Sequence, residues 1–219
     1  MEIVQGEALK AWKLCLQRIW SEGREFKDQE GRICKEVTNV MVRVENPELG
    51  VGEPAQWLAN QEEWVYPSLE QINKVILGES NSAFFHYAYG ERIFRFQGKK
   101  NQLQEFILPL LSKNIESRRA LLSLYDPIED SEGLKDDVPC LVAVHFRVIE
   151  GKVHVSGYIR SNDVFIGWPA NVYQLFVLQK WVTSKLGLEF GSITTISGSA
   201  HIFLEYQEKL DRLINVVSY

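Results

Sequence analysis

The sequence predicts an α+β fold: one mixed, mostly antiparallel twisted sheet with helices packed on it. Two observations carry that reading. Residues 141–149 (LVAVHFRVI) and 152–160 (KVHVSGYIR) read as strands, and Glu150-Gly151 between them is a hairpin turn signal. Helical segments are mixed among the strands without the regular alternation that builds a doubly wound parallel sheet.

The elements follow in chain order. Residues 8–20 set Leu9, Trp12, Leu16 and Ile19 on one stripe, an amphipathic helix that Ser21-Glu-Gly23 ends. The valine-rich run 37–44 predicts a strand, stopped by Asn46-Pro47. Residues 47–67 contain prolines and little periodicity, so an irregular segment is expected, with a short helix near 55–60. Residues 69–77 and 101–112 look helical, and Pro109 either kinks the second or ends its regular part. A strand is expected over 119–125, then an exposed acidic loop from Asp126-Pro127 to Asp137. Asn171 to Leu186 predicts a long apolar helix with Gly187 as its C-cap residue, followed by a strand at 190–196 and a polar helix near 203–214. Nothing repeats and no cut point stands out, so residues 1–219 are expected to form one domain.

Composition narrows the function. The chain has 219 residues, 45% apolar and 24% charged, with 24 basic against 29 acidic side chains and a net charge of −5. That balance argues against a nucleic-acid or membrane-surface binder, but a few arginines can still line a pocket for a small anion. No apolar run reaches the ~18 residues of a membrane span, and no secretory signal opens the chain. Cys15, Cys34 and Cys140 form no CxxC pair and no zinc spacing, so a cytoplasmic protein with reduced thiols and no metal is expected.

Several residues can carry chemistry. Cys140, after a proline at the start of a strand, is a small buried hydrophobe on the plain reading. On the functional one it is a nucleophile that needs a cation beside it. Arg160-Ser161-Asn162-Asp163 ends the second hairpin strand with an arginine, a hydroxyl and a carboxylate, a set that can recognise a phosphate and a polar ring. Arg118-Arg119 is either a solvated pair or an anion clamp. Asn171 reads as a helix N-cap and His201 as a partly buried, hydrogen-bonded histidine.

Together these motifs say more. Pro139-Cys140, Arg160-Ser-Asn-Asp163, Gly167-Trp-Pro-Ala-Asn171 and Ser197-Gly-Ser-Ala-His201-Ile-Phe203, with Ser117-Arg118-Arg119 and Tyr89-Gly90, resemble the thymidylate synthase family in order and spacing, most closely its compact archaeal-type members. The resemblance spans about residues 87–206. It implies methylation of dUMP at carbon 5, with methylenetetrahydrofolate or a related pterin as cosubstrate and no metal. Cys140 would be the nucleophile that adds to carbon 6, the kind of covalent catalysis a thiolate supplies. Arg160 would contact phosphate and thiol, and Ser161 the phosphate. Arg118 and Arg119 would reach across a homodimer to the partner's phosphate. Asn171 would read the uracil edge, with one donor and one acceptor for O4 and N3–H. Asp163 would help hold folate and ring-side water, His201 the sugar 3′-hydroxyl, and Tyr89 would stand near the carbon-5 proton. Glu53 is the candidate for an upstream glutamate that orders water; a solvated loop glutamate is the other reading.

The sequence also departs from the family. Phe203 replaces a tyrosine, which removes one sugar hydrogen bond; Leu141 replaces a histidine and Ile159 a glutamine. The resemblance leaves Arg24 and Arg32 both open as the N-terminal phosphate arginine. The chain ends 18 residues after His201, where the family continues into a tail that closes over folate. Closure excludes water from the one-carbon chemistry. The short end therefore keeps two alternatives: a pyrimidine-nucleotide (dUMP, dCMP or CMP) hydroxymethylase, and a nucleotide- or RNA-binding member without turnover.

Overall fold

The computed structural model describes residues 1–61, 65–78, 89–132 and 138–215. Its elements run β1 (Glu2–Gln5), α1 (Ala8–Glu22), β2 (Arg24–Lys27), β3 (Ile33–Val44), α2 (Glu53–Ala59), α3 (Leu69–Ile76) and α4 (Tyr89–Phe94). A π-helical turn, Leu103–Ile107, leads into α5 (Leu108–Lys113). Then come β4 (Leu121–Ser123), β5 (Leu141–Ile149), β6 (Lys152–Asp163), α6 (Gly167–Leu186), β7 (Glu189–Phe203), a 3₁₀ turn and α7 (Gln207–Asn215). The sheet order is β1-β3-β7-β6-β5-β4, with β2 also on β3. Among the described strands only β1–β3 and β6–β7 pair in parallel. The expected mixed, mostly antiparallel α+β architecture is the one found.

The helices bury the faces their sequences prescribe. Trp12, Leu16 and Ile19 of α1 are fully buried, and Trp12 Nε1 donates to the Val164 carbonyl at 2.7 Å, which ties this helix to the chain just past β6. α6 lies against β6, where Gly157 allows the close approach: a Cβ there would sit 2.9 Å from Leu175 Cδ1. Gln179, on the buried face of α6, donates its Nε2 to the carbonyls of Val153 and Gly191 at 2.6 and 2.9 Å, so two strands satisfy its amide nitrogen. Gly187 ends α6 in the left-handed conformation, as its C-cap position predicts.

The β5–β6 hairpin turns at Glu150 and Gly151, both with positive φ (50° and 76°). Two such residues match the twist of the flanking strands. Near the other end of the hairpin the register slips by one between Leu141 and Ala143. This bulge shows in burial: Leu141 and Val144 both face the core although three residues apart, whereas Val144, Phe146 and Val148 keep the strict alternation of a strand.

Several expectations need correction. α6 begins at Gly167, not Asn171, so Asn171 is no N-cap but lies within the first turns. Pro169 fits there because the first N–H groups of a helix have no intrahelical acceptor. Pro109 stands at the start of α5, where the π turn hands over, and does not end the helix. The acidic loop is not wholly exposed: Asp126 and Asp130 are buried. Arg92 reaches Asp130 with two nitrogens at 2.6 and 2.7 Å, and Gln97 donates to Asp126 at 2.9 Å. Residues 133–137 of that loop lie outside the described residues. The strand expected at 37–44 starts at Ile33, and the short strands β1 and β2 had no clear sequence signal. No helix among the described residues is long and apolar enough to cross a membrane.

Candidate active site

The C-terminal ends of β6 and β7 and the start of α6 converge on a cavity of about 490 Å³. Tyr89, Cys140, Ser161, Asp163, Asn171 and His201 all line it, so six of the side chains singled out in the sequence meet in one place. A second cavity of about 440 Å³ adjoins it, shares Arg32, Ser161, His201 and Phe203 with it, and adds Arg160 and Ser199. The first has an apolar wall from Val65, Pro67 and Ile166; the second is lined mainly by polar and charged groups. Such a pairing suits a ligand with a flat ring and a charged group at one end.

Cys140 is half-buried at the mouth of β5. Its segment is clamped from two sides. Arg160 donates its backbone N–H to the Cys140 carbonyl at 2.8 Å, and its Nε and Nη2 donate to the carbonyls of Pro139 and Val138 at 2.9 and 2.6 Å. Tyr89, buried at the start of α4, accepts the Leu141 N–H on its hydroxyl at 3.1 Å. The segment that carries the thiol is thus set in place by hydrogen bonds to its backbone, two of them from the Arg160 guanidinium.

Asp163 ends β6. Its Oδ1 accepts the N–H groups of Phe165 and Ile166 at 2.9 and 3.1 Å and so shapes the turn into α6. Burial nevertheless pushes its carboxyl up to about 7, because the loss of hydration outweighs those two bonds. His201, its register partner on β7, is pushed the other way: burial lowers its pKa, and its Nδ1 is buried with no partner among the described residues. A neutral ring at a cavity wall can bond a ligand hydroxyl. Across the second cavity Glu36 is held below the usual carboxylate range by the Ser199 hydroxyl at 2.7 Å and by Arg24 at 2.9 Å.

The two arginines left open by the sequence now differ. Arg32 borders both cavities, with its guanidinium 4.0 Å over the Phe203 ring and ion pairs at 3.0 Å to Asp28 and to Glu30. Arg24 is turned to Glu36 and lines neither. The face of Phe203 therefore carries a cation.

Three predicted residues are not brought to the cavity. Glu53 opens α2, is exposed, and folds back over Gly50, where a Cβ would meet its Oε1 at 2.6 Å. Arg118 and Arg119 are exposed before β4, and among the described residues neither guanidinium has a hydrogen bond or ion pair. Others had been given no role. Asn162, inside the quoted motif, is buried between Ser197 and Asn171, and Tyr66 anchors its hydroxyl on the Ile166 carbonyl at 2.7 Å. A polar residue among the core-facing positions near the end of β6 was the available signal for Asn162.

Comparison with known proteins agrees with this geometry. The model of the thymidylate synthase family matches residues 55–218, and the chain belongs to that family. A protein of Methanococcoides burtonii named "Putative thymidylate synthase" is 32% identical over 207 residues, covering 94% of this chain and 91% of its own. One of the same name from Methanothermobacter marburgensis is 35% identical over 212 residues, 92% of each chain. A thymidylate synthase of Bacillus licheniformis is 33% identical over 129 residues, 59% of this chain and 46% of its own.

Proposed function

We propose that the protein converts dUMP to dTMP, with Cys140 as the covalent nucleophile. The observation that carries this is the convergence of the Cys140 thiol, the Ser161 hydroxyl and the Asn171 amide on one cavity that opens into an arginine-bearing one. The uracil ring fits the first cavity and the phosphate the second, toward Arg160, Arg32 and Ser161. Carbon 5 of uracil is a weak nucleophile. When the Cys140 thiolate bonds to carbon 6, the ring's electron pair shifts to carbon 5 and O4, and carbon 5 becomes able to attack. Once carbon 5 carries the new carbon, its proton leaves toward the Tyr89 side. The pair so freed releases the donor's nitrogen from the new carbon; a hydride then completes the methyl group, and the ring pair expels sulfur and restores the thiolate. Methylenetetrahydrofolate, or a related pterin, supplies the one-carbon unit and the hydride when bound. The apolar wall at Pro67 and Ile166, beside the Asp163 carboxyl, fits a flat ring with polar edges, so these residues and Gly167 would hold it.

A homodimer belongs to the same reading. The face of the sheet turned away from α1 and α6 carries an apolar row in register across its centre: Met41, Ile196, Tyr158 and Ala143. Tyr158 and Ile196 are 44% and 36% exposed, more than a solvated face requires. A second copy would cover the row and let Arg118 and Arg119, unpaired among the described residues, reach the partner's phosphate. Residues 1–219 act as one domain in this scheme, in the reducing cytoplasm that a free thiol needs.

The test is direct. The protein is incubated with methylenetetrahydrofolate and either dUMP or dCMP, and the nucleotide is weighed by mass spectrometry. A methyl gain on dUMP with dihydrofolate formed is expected. A hydroxymethyl gain with tetrahydrofolate, or no gain at all, overturns the proposal.

A further inference from the structure

Asn162 and Ser197 form a buried polar pair behind the cavity, 1% and 2% exposed. Asn162 Nδ2 donates to Ser197 Oγ at 2.9 Å. An amide has two unlike ends, so this bond turns the Asn162 oxygen the other way, toward α6. A second measure agrees: a Cβ placed on Gly167, the first residue of α6, would lie 3.7 Å from Asn162 Oδ1. There that oxygen accepts Asn171 Nδ2 at 3.5 Å. The chain Ser197–Asn162–Asn171 therefore runs in one direction, from a hydroxyl acceptor to the amide that lines the cavity.

That direction has a chemical consequence. A primary amide has one N–H anti to its oxygen and one syn. Donation to Asn162 through the anti N–H leaves the syn N–H and the oxygen of Asn171 as a fixed donor–acceptor edge. Rotated by half a turn, the Asn171 oxygen would face the Asn162 oxygen, two acceptors without a proton between them. Uracil and cytosine differ in just this respect: uracil offers an acceptor at carbon 4 and a donor at N3, cytosine the reverse. An asparagine free to turn could serve both rings; one held in a single orientation favours one of them.

We infer that Asn162, oriented by Ser197, is a positioning residue that sets the pyrimidine preference of Asn171 in favour of uracil. The inference rests on the reading of this cavity as a uracil-nucleotide site. It also gives a use to a buried polar pair that no other contact in the site explains, and it acts on orientation and not on the reacting atoms.

Calorimetric titration of the full chain with dUMP and with dCMP tests it. The unaltered chain is expected to prefer dUMP. Asn162→Ala should reduce the ratio of the two affinities about tenfold, the scale of one lost hydrogen bond to a buried group. Ser197→Ala, which frees Asn162 to turn, should reduce it in the same direction, and Ser197→Thr, which keeps the hydroxyl, should restore it. The ratio compares two ligands on one fold, so general damage to packing lowers both affinities and leaves the ratio alone. An unchanged ratio in Asn162→Ala and Ser197→Ala, with dUMP still preferred by the unaltered chain, overturns the positioning role while leaving the functional reading intact. Should Asn162→Ala fail to fold, the two Ser197 variants decide alone. No preference in the unaltered chain overturns the uracil reading and this inference with it.

Discussion

Arg160 holds Cys140 through the backbone: its N–H meets the Cys140 carbonyl at 2.8 Å, and its guanidinium bonds the two carbonyls just before it. The cation is therefore fixed against the segment that carries the thiol before any ligand arrives, and its remaining N–H groups are left for an anion. Lysine has no fork to span both carbonyls. Arg160→Lys should lower kcat/KM for dUMP about 10- to 100-fold, the value of one or two charged hydrogen bonds. Rate and nucleotide affinity should fall together; steady-state kinetics alongside titration with dUMP would check this, and a loss confined to one of them would contradict it.

The nucleophile assignment has its own readout. Release of tritium from carbon-5-labelled dUMP requires the carbon-6 adduct. Cys140→Ser keeps the size of the side chain but supplies a far poorer nucleophile at neutral pH. Release should drop to background, and release at the normal rate would refute the role.

The ion pair under α4 governs stability. Asp130 is 2% exposed at its side chain, and Arg92 is its bidentate partner. Removing the cation leaves a buried carboxylate uncompensated. Arg92→Ala should lose about 3–5 kcal/mol of unfolding free energy in urea. Because Tyr89 opens the same helix, activity should fall before global unfolding sets in.

Asp163 should make stability depend on pH. Its folded-state carboxyl titrates near 7, above the ordinary 3.8. As pH rises past 3.8 the unfolded chain releases this proton first, so the contribution of Asp163 to stability is complete in acid and declines until about pH 7. His201, with its lowered pKa, acts in the opposite sense and masks part of the trend. Asp163→Asn removes one term only. Its advantage over the unaltered chain should grow from about pH 4 to about pH 7 and then level, as followed by thermal melting; a constant difference would contradict the assignment.

The sequence made visible what depends on local chemistry. Glu150-Gly151 reads as a turn because the pair suits positive φ, and the alternating flanks then bring Arg160 back beside Cys140. The α1 stripe is equally local. Asp126 and Asp130 misled because a run of carboxylates reads as solvated, while the cation that buries one of them lies 38 residues upstream. The start of α6 was missed because Gly-Trp-Pro reads as loop, although proline is at home in a first turn. β1 is too short for a clear alternation, and its parallel partner lies beyond a whole helix. In the site Tyr89, Cys140, Ser161, Asp163, Asn171 and His201 line one cavity, whereas Arg118 and Arg119 do not, and the direction of the Asn162 amide depends on Ser197, which a different strand supplies.

The bulge at Leu141–Ala143 makes the reacting centre hang on a single surplus residue. Were Val142 paired in the ladder and not bulged, β5 could still zip against β6 as an ordinary strand. Leu141 would then slide into the berth opposite Arg160 that Cys140 now fills, and the protein would offer its ligand a hydrocarbon where it had offered sulfur. A shift of this kind would leave the fold's silhouette intact and silence the chemistry, so the pairing of this strand matters as much as the motif it carries.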